Sequence, residues 1–147
     1  MAAAQGRLLA AAVAVSFLAC AESPPPRPAV QVEDAWVRAV AGPDVNTAAY
    51  MTLHNAGGAP DRLTGARSES AQMTELHRTT IDAAGLARMG RAEGLDLPAG
   101  GQATLEPGGY HLMLMGVGSL MEGDTVHLTL LLDVSDSVDV AAEVRPF

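Results

Sequence analysis

From Val30 onward, apolar and polar side chains alternate in short runs broken by Gly, Pro, Asn and Asp, and no segment sustains a helical apolar period. The clearest run lies near the end of the chain. Val126, Leu128, Leu130, Leu132 and Val134 alternate with Thr125, His127, Thr129, Leu131 and Asp133, and Ser135-Asp136-Ser137 then turns the chain into Val138, Val140, Ala142 and Val144. A period of two places each set on one face of a strand, so this pair is a structural hairpin. The same alternation predicts strands over Val30–Ala39, Thr47–His54, Arg62–Arg67, Gln72–Thr79, Leu86–Arg91, Ala103–Leu105, Tyr110–Val117, Thr125–Val134 and Val138–Val144. Turns fall at Ala41–Asp44, Asn55–Pro60, Asp82–Gly85, Pro98–Gly101 and Glu122–Asp124, and Gly118–Met121 reads as a helical turn. About eight or nine strands at this spacing predict an all-β domain, a two-sheet antiparallel sandwich ahead of a small closed barrel. With two Phe, two Tyr and one Trp, the core must come from Val, Leu and Ala.

Upstream of the alternation the chain changes character twice. Leu8–Cys20 is a run of 13 apolar or weakly polar residues behind the single positive charge of Arg7, too short to span a bilayer comfortably and suited to a signal-peptide core. Residues 1–20 therefore read as a signal peptide, which predicts export to the periplasm or cell envelope. Phe17-Leu18-Ala19-Cys20 resembles the lipobox of bacterial lipoproteins, with Phe17 where Leu is usual, and the resemblance implies acylation of Cys20. Ala19-Cys20-Ala21 also reads as a site for ordinary signal peptidase. Acylation is preferred because a free thiol just past the leader is a liability in an oxidising compartment. Residues 21–29, rich in proline, form an extended tether, and residues 30–147 form the folded domain, which has no cysteine.

Charge narrows the partners. Nine Arg, no Lys and seventeen Asp and Glu give the 147-residue chain a net charge of −8, which argues against nucleic acid and against a polybasic membrane surface. A lipid anchor at Cys20 is the one membrane contact expected. No Ser-His-Asp arrangement, glycine-rich phosphate loop or zinc-protease signature is present, so an enzyme is not expected.

Histidine and methionine are the chemically informative residues, because imidazole and thioether select soft or borderline metals. The domain has His54, His77, His111 and His127, with Met51, Met73, Met89, Met113, Met115 and Met121. Behind the turn Pro107-Gly108-Gly109, the strand Tyr110–Met115 puts Tyr110, Leu112 and Leu114 on one face and His111, Met113 and Met115 on the other. Taken singly, a Met is usually core filling and a His usually a surface residue. His54 and Met51 have opposite parity, His127 points outward on the last hairpin, and Trp36 is expected to anchor the core.

Spacing alters that reading. His77 and Met89 are separated by eleven residues that include the turn Asp82–Gly85, so they can face each other across a hairpin, and twenty-one residues then precede His111-Leu112-Met113. Both intervals match the motif of the periplasmic copper chaperones called PCu(A)C. The resemblance continues through Asp34–Arg38, Ala48–Asn55, Asp61–Leu63, Ala71–His77, Leu97–Gly100, Leu105–Leu114 and Gly123-Asp124, and so spans the whole domain. It implies a cupredoxin-like, Greek-key β-sandwich holding one Cu(I) through His77, Met89, His111 and Met113. Met73 shares strand parity with His77 and can shield the site, and Met115 reads equally as an outer or relay thioether or as a core residue. Expected partners are a copper-accepting subunit of cytochrome c oxidase or another copper chaperone, with the carrier itself a monomer. Arg78, directly after His77, departs from the family by bringing positive charge beside the site, and the chain lacks the His- and Met-rich tail some members use for a second copper.

The donor set is chemically coherent. Cu(I) is soft and d10, so two thioethers and two imidazoles in a distorted tetrahedron suit it, whereas Zn(II) prefers thiolate, imidazole or carboxylate. Neutral thioethers also escape disulfide formation outside the cytoplasm. An electron-transfer cupredoxin needs a thiolate, which the domain lacks. A metal-free interaction module of the envelope is the remaining alternative.

Overall fold

In a computed structural model of the chain, which describes residues 23–147, the alternation is realised as ten strands. They are β1 (Val30–Arg38), β2 (Val45–Asn55), β3 (Asp61–Arg67), β4 (Met73–Ile81), β5 (Ala87–Arg91), β6 (Leu95–Leu97), β7 (Gln102–Leu105), β8 (Tyr110–Val117), β9 (Thr125–Leu132) and β10 (Val138–Arg145). Residues 1–22, including the predicted signal peptide and Cys20, lie outside the described residues.

The domain is all-β, as the alternation predicts, but its layers are not separate sheets. One hydrogen-bonded ladder runs β5-β4-β8-β7-β2-β1-β10-β9-β3-β6, with β8 also paired to β2. Neighbours are antiparallel except β1 with β10 and the single β7–β8 rung, which are parallel. The sheet curls so that β3 lies against β4, and β6 against β2 and β7. Its enclosed face carries the core, Val37, Leu53, Leu63, Leu76, Leu112, Leu114, Val126, Leu128 and Leu130, all fully or almost fully buried. Each such side chain contributes about 1.5–3 kcal/mol by leaving water, so an aliphatic core suffices without aromatic mass.

Several local expectations give way to identifiable interactions. Leu95-Asp96-Leu97 is too short to show a period, yet it closes the sheet edge by pairing with Asp61–Leu63. Gly118–Met121 is not a helical turn. Leu120 bridges Val40 through both backbone hydrogen bonds, 2.9 and 3.1 Å, and this satisfies the backbone in an extended form. Trp36 leaves the core face because β1 bulges between Glu33 and Trp36, with Asp34 at φ 48°, which reverses strand parity. Half-buried on the outer face, Trp36 stacks on Tyr50 with ring centroids 4.6 Å apart.

Two contacts fasten the ends of the fold. The chain entering β1 docks on the β2–β3 loop, where Ala56 and Gly58 donate to the carbonyls of Ala29 and Arg27. A Cβ on Gly57 would lie 2.2 Å from the Arg27 carbonyl oxygen, so only glycine allows this approach. At the other end, β9 stops at Leu132 rather than Val134 because the buried Asp61 carboxylate captures the amides of Val134 and Ser135, both at 3.0 Å. Burial pushes the Asp61 pKa up, but the adjacent Ser135 side chain and the amides of Arg62, Val134 and Ser135 outweigh it, leaving the carboxyl below its ordinary value.

A depressed folded-state pKa contributes stability above the unfolded value of about 3.9, and that contribution disappears as pH falls through the folded value. Asp61→Asn is therefore expected to destabilise the domain by about 1–3 kcal/mol at neutral pH. The difference from wild type should shrink in urea unfolding repeated at progressively acid pH; a gap independent of pH would exclude this role for the carboxylate.

Candidate metal site

The face of the sheet opposite the core is where the informative residues collect. β4 and β8 pair with His77 opposite His111, Glu75 opposite Met113 and Met73 opposite Met115. Directly opposed residues of an antiparallel pair share a face, and this one is the reverse of Leu76, Leu112 and Leu114. β5 adds Met89 and Arg91 to it, opposite Thr79 and His77. Met89 thus lies diagonal to His77 instead of directly across. The five-residue turn between Ile81 and Ala87, held by Asp82 accepting from the amides of Ala84 and Leu86, sets that register. From β2, Ala48 sits beside Met113, which brings Tyr50 onto the same face.

His111 is 4% exposed. The turn Glu106–Gly109, with Gly108 at φ 80°, presents the Gly109 carbonyl to His111 Nδ1 at 3.2 Å. A carbonyl only accepts, so Nδ1 carries the proton and the neutral ring keeps its lone pair on Nε2. Burial holds the His111 pKa below its ordinary value; the Gly109 carbonyl works against this and the neighbouring His77 adds to it. Nε2 lies 3.0 Å from Met89 Sδ. Two lone-pair atoms are thereby turned on each other, an arrangement that a soft cation between them would reconcile.

His77 has the opposite polarity. Its Nε2 donates to Glu75 Oε2 at 3.0 Å, while its Nδ1 is buried with no hydrogen-bond partner among the described residues. The second Glu75 oxygen accepts from Arg91 Nη1 at 3.1 Å. The hydrogen bond from His77 is the main reason the Glu75 pKa lies below its ordinary value, with desolvation opposing it and Arg91 assisting. The two imidazole centroids are 5.9 Å apart. Met113 joins Met89, His111, Thr79, Tyr50 and Phe147 in lining a shallow cleft of about 380 Å³. Met89, on the edge strand, is 56% exposed, so the cleft is reachable from solvent.

His77, Met89, His111 and Met113 are therefore brought together on one face, and Met73 and Met115 pair farther along it. The other candidates lie elsewhere. His54 pairs with Glu33 at 3.0 Å, Met51 is buried in the core, and His127 and Met121 are exposed. Arg78 is on the reverse face of β4, stacked over Tyr110 at 5.0 Å, because it alternates with His77 along the strand, and it lines a groove at the β5 edge together with Met89. A larger groove of about 640 Å³ near Arg67, His127 and Asp139 contains no thioether. Among the described residues no three His, Cys, Asp or Glu side chains converge, so a centre built from hard or zinc-type ligands is absent there. Sequence reasoning missed Glu75 and Arg91, although Glu75 shares parity with His77 two residues away.

Fold and site together define a PCuAC-like domain. The chain belongs to the family described as "Putative lipoprotein LpqE-like", whose model matches residues 30–144. It is 35% identical over 119 residues to the "Putative lipoprotein Lxx21020" of Leifsonia xyli subsp. xyli (strain CTCB07), covering 80% of this chain and 70% of that protein. Among solved structures it resembles CuI-DR1885 from Deinococcus radiodurans, at 37% identity and a TM-score of 0.60 over 86% of this chain and 83% of that one. The copper-bound PCuAC domain from PmoF2 matches at 25% identity and a TM-score of 0.65, over 80% and 92% of the two chains. The lipoprotein descriptions are consistent with an exported, envelope location.

The two rings should be fixed in opposite tautomers before any metal is added. Long-range ¹H–¹⁵N spectra of the metal-free protein are expected to show His77 protonated on Nε2 and His111 on Nδ1, with Glu75→Ala releasing only the preference of His77. Identical tautomers in the wild type would contradict this geometry.

Proposed function

We propose that this protein is a non-enzymatic, extracytoplasmic carrier of Cu(I). The observation that carries the reading is His111 Nε2, left with its lone pair by the Gly109 contact, facing Met89 Sδ at 3.0 Å in a cleft shared with Met113, with His77 opposite His111 on the same face. Two neutral nitrogens and two neutral sulfurs suit a soft monovalent d10 ion and ask no proton release beyond neutral histidine. The copper in the CuI-DR1885 and PmoF2 relatives supports the same cargo. In this reading the four residues hold one Cu(I) per monomeric domain. Glu75 and Arg91 act behind His77, fixing its ring so that Nδ1 is the atom offered.

A carrier must also give its metal away. Met89, the one donor standing on the edge strand and more than half exposed, is the ligand an incoming partner would replace first. The acceptor we propose is the copper site of a cytochrome c oxidase subunit, reached directly or through another copper chaperone. Attachment through an acylated Cys20 and the proline-rich tether would keep the carrier at the membrane where such an oxidase is assembled.

Met89→Leu and Met113→Leu are each expected to weaken Cu(I) binding by more than the 10- to 100-fold typical of an outer-sphere partner, in titrations against a Cu(I)-specific chelator. Unchanged affinity in both variants would favour the metal-free interaction module. Anaerobic mixing of the loaded protein with the apo copper domain of an oxidase subunit should move copper to the acceptor, and retention by the carrier would count against delivery.

A further inference from the structure

Two methionines of the outer face remain once the four donors are assigned. On that face the β4–β8 ladder has successive rungs His77–His111, Glu75–Met113 and Met73–Met115. Rungs are two residues apart, about 6.5–7 Å along the strand, and opposed Cβ atoms lie about 4.5–5.5 Å from each other. Met73 and Met115 are thus within mutual reach on flexible side chains, and Met113 stands one rung away from them and one rung from the histidine pair.

Packing does not explain this rung. Met73 is 54% exposed and Met115 only partly buried, whereas the core-filling methionine of the domain, Met51, is 2% exposed. The carboxylate on the adjoining rung, Glu75, is occupied by His77 and Arg91, so the rung itself offers two thioethers. Thioether pairs select soft ions, and two donors bind less tightly than four.

We propose that Met73 and Met115 form a second, weaker Cu(I) station, from which the ion passes by way of Met113 to the main site or back out to a partner. The proposal rests on the reading of the main site as a Cu(I) centre. It assigns the exposed methionine pair to loading and release, in series with the main site.

The test is ¹³C-methyl methionine NMR of the full chain carrying Cys20→Ser, so that no thiol competes, titrated with Ag(I) as a redox-silent soft d10 probe. The first equivalent is expected to shift Met89 and Met113. Further equivalents should shift Met73 and Met115 together, with at least tenfold weaker affinity, while Met121, an exposed thioether on the β8–β9 loop, moves only at higher metal. Met73→Leu combined with Met115→Leu should abolish the second event and leave the affinity of the first within twofold. The station is overturned if Met73 and Met115 shift in parallel with Met121, if they shift only with the first equivalent, or if they do not respond. A first equivalent that leaves Met89 and Met113 unmoved would instead overturn the main-site reading.

Discussion

The register between β4 and β8 is the constraint on which the site depends. With His77 opposite His111, every donor on those strands falls on the outer face and every leucine on the inner one. A slip of one residue would turn His77 and Glu75 into the core and expel Leu76, burying an imidazole and a carboxylate and exposing a leucine at once. The hydrophobic core therefore positions the candidate ligands from the opposite face of the sheet. β8 is also held from its other side by β2, and the amide of Thr79 donates to the Gly109 carbonyl, which anchors the turn that orients His111.

The two faces divide the work. Inside, branched aliphatic side chains are packed without solvent, and that rigidity fixes where the outer residues stand. Outside, acceptor-only partners set the protonation of each ring: the Gly109 carbonyl for His111, the Glu75 carboxylate for His77. Preorganisation of this kind means that a metal need not first break hydrogen bonds to the nitrogen it uses. In the proposed carrier, exchange falls to the periphery. β5 is an edge strand whose residues are all exposed, and Arg88 and Arg91 with Gly90 protect it against pairing with another sheet while leaving Met89 accessible.

Much of this was legible in the sequence, for reasons that also explain what was not. Period-two alternation over Tyr110–Met115 separates donors from core because the strand is regular, and the His77, Met89, His111 and Met113 spacing is visible because hairpin turns of fixed length carry it into space. The three-residue β6 has no period to read. Trp36 misleads because a single bulge at Asp34 reverses parity downstream, and a bulge depends on the partner strand. Arg78 takes the face opposite His77 because adjacent residues alternate along a strand, and its approach to Met89 depends on the β5 edge, which the sequence does not show. Glu75 was within reach by parity alone, but its roles as support for His77 and acceptor for Arg91 arise only when β5 is laid beside β4.

The central claim is that the outer face of this sheet holds Cu(I) through sulfur and nitrogen together. X-ray absorption at the copper edge of the Cu(I)-loaded protein measures that first coordination sphere directly. The account predicts both thioether sulfur and imidazole nitrogen scatterers around the metal, with the sulfur contribution falling when Met89 or Met113 is replaced by leucine. A first sphere with no sulfur in the wild-type protein would contradict it.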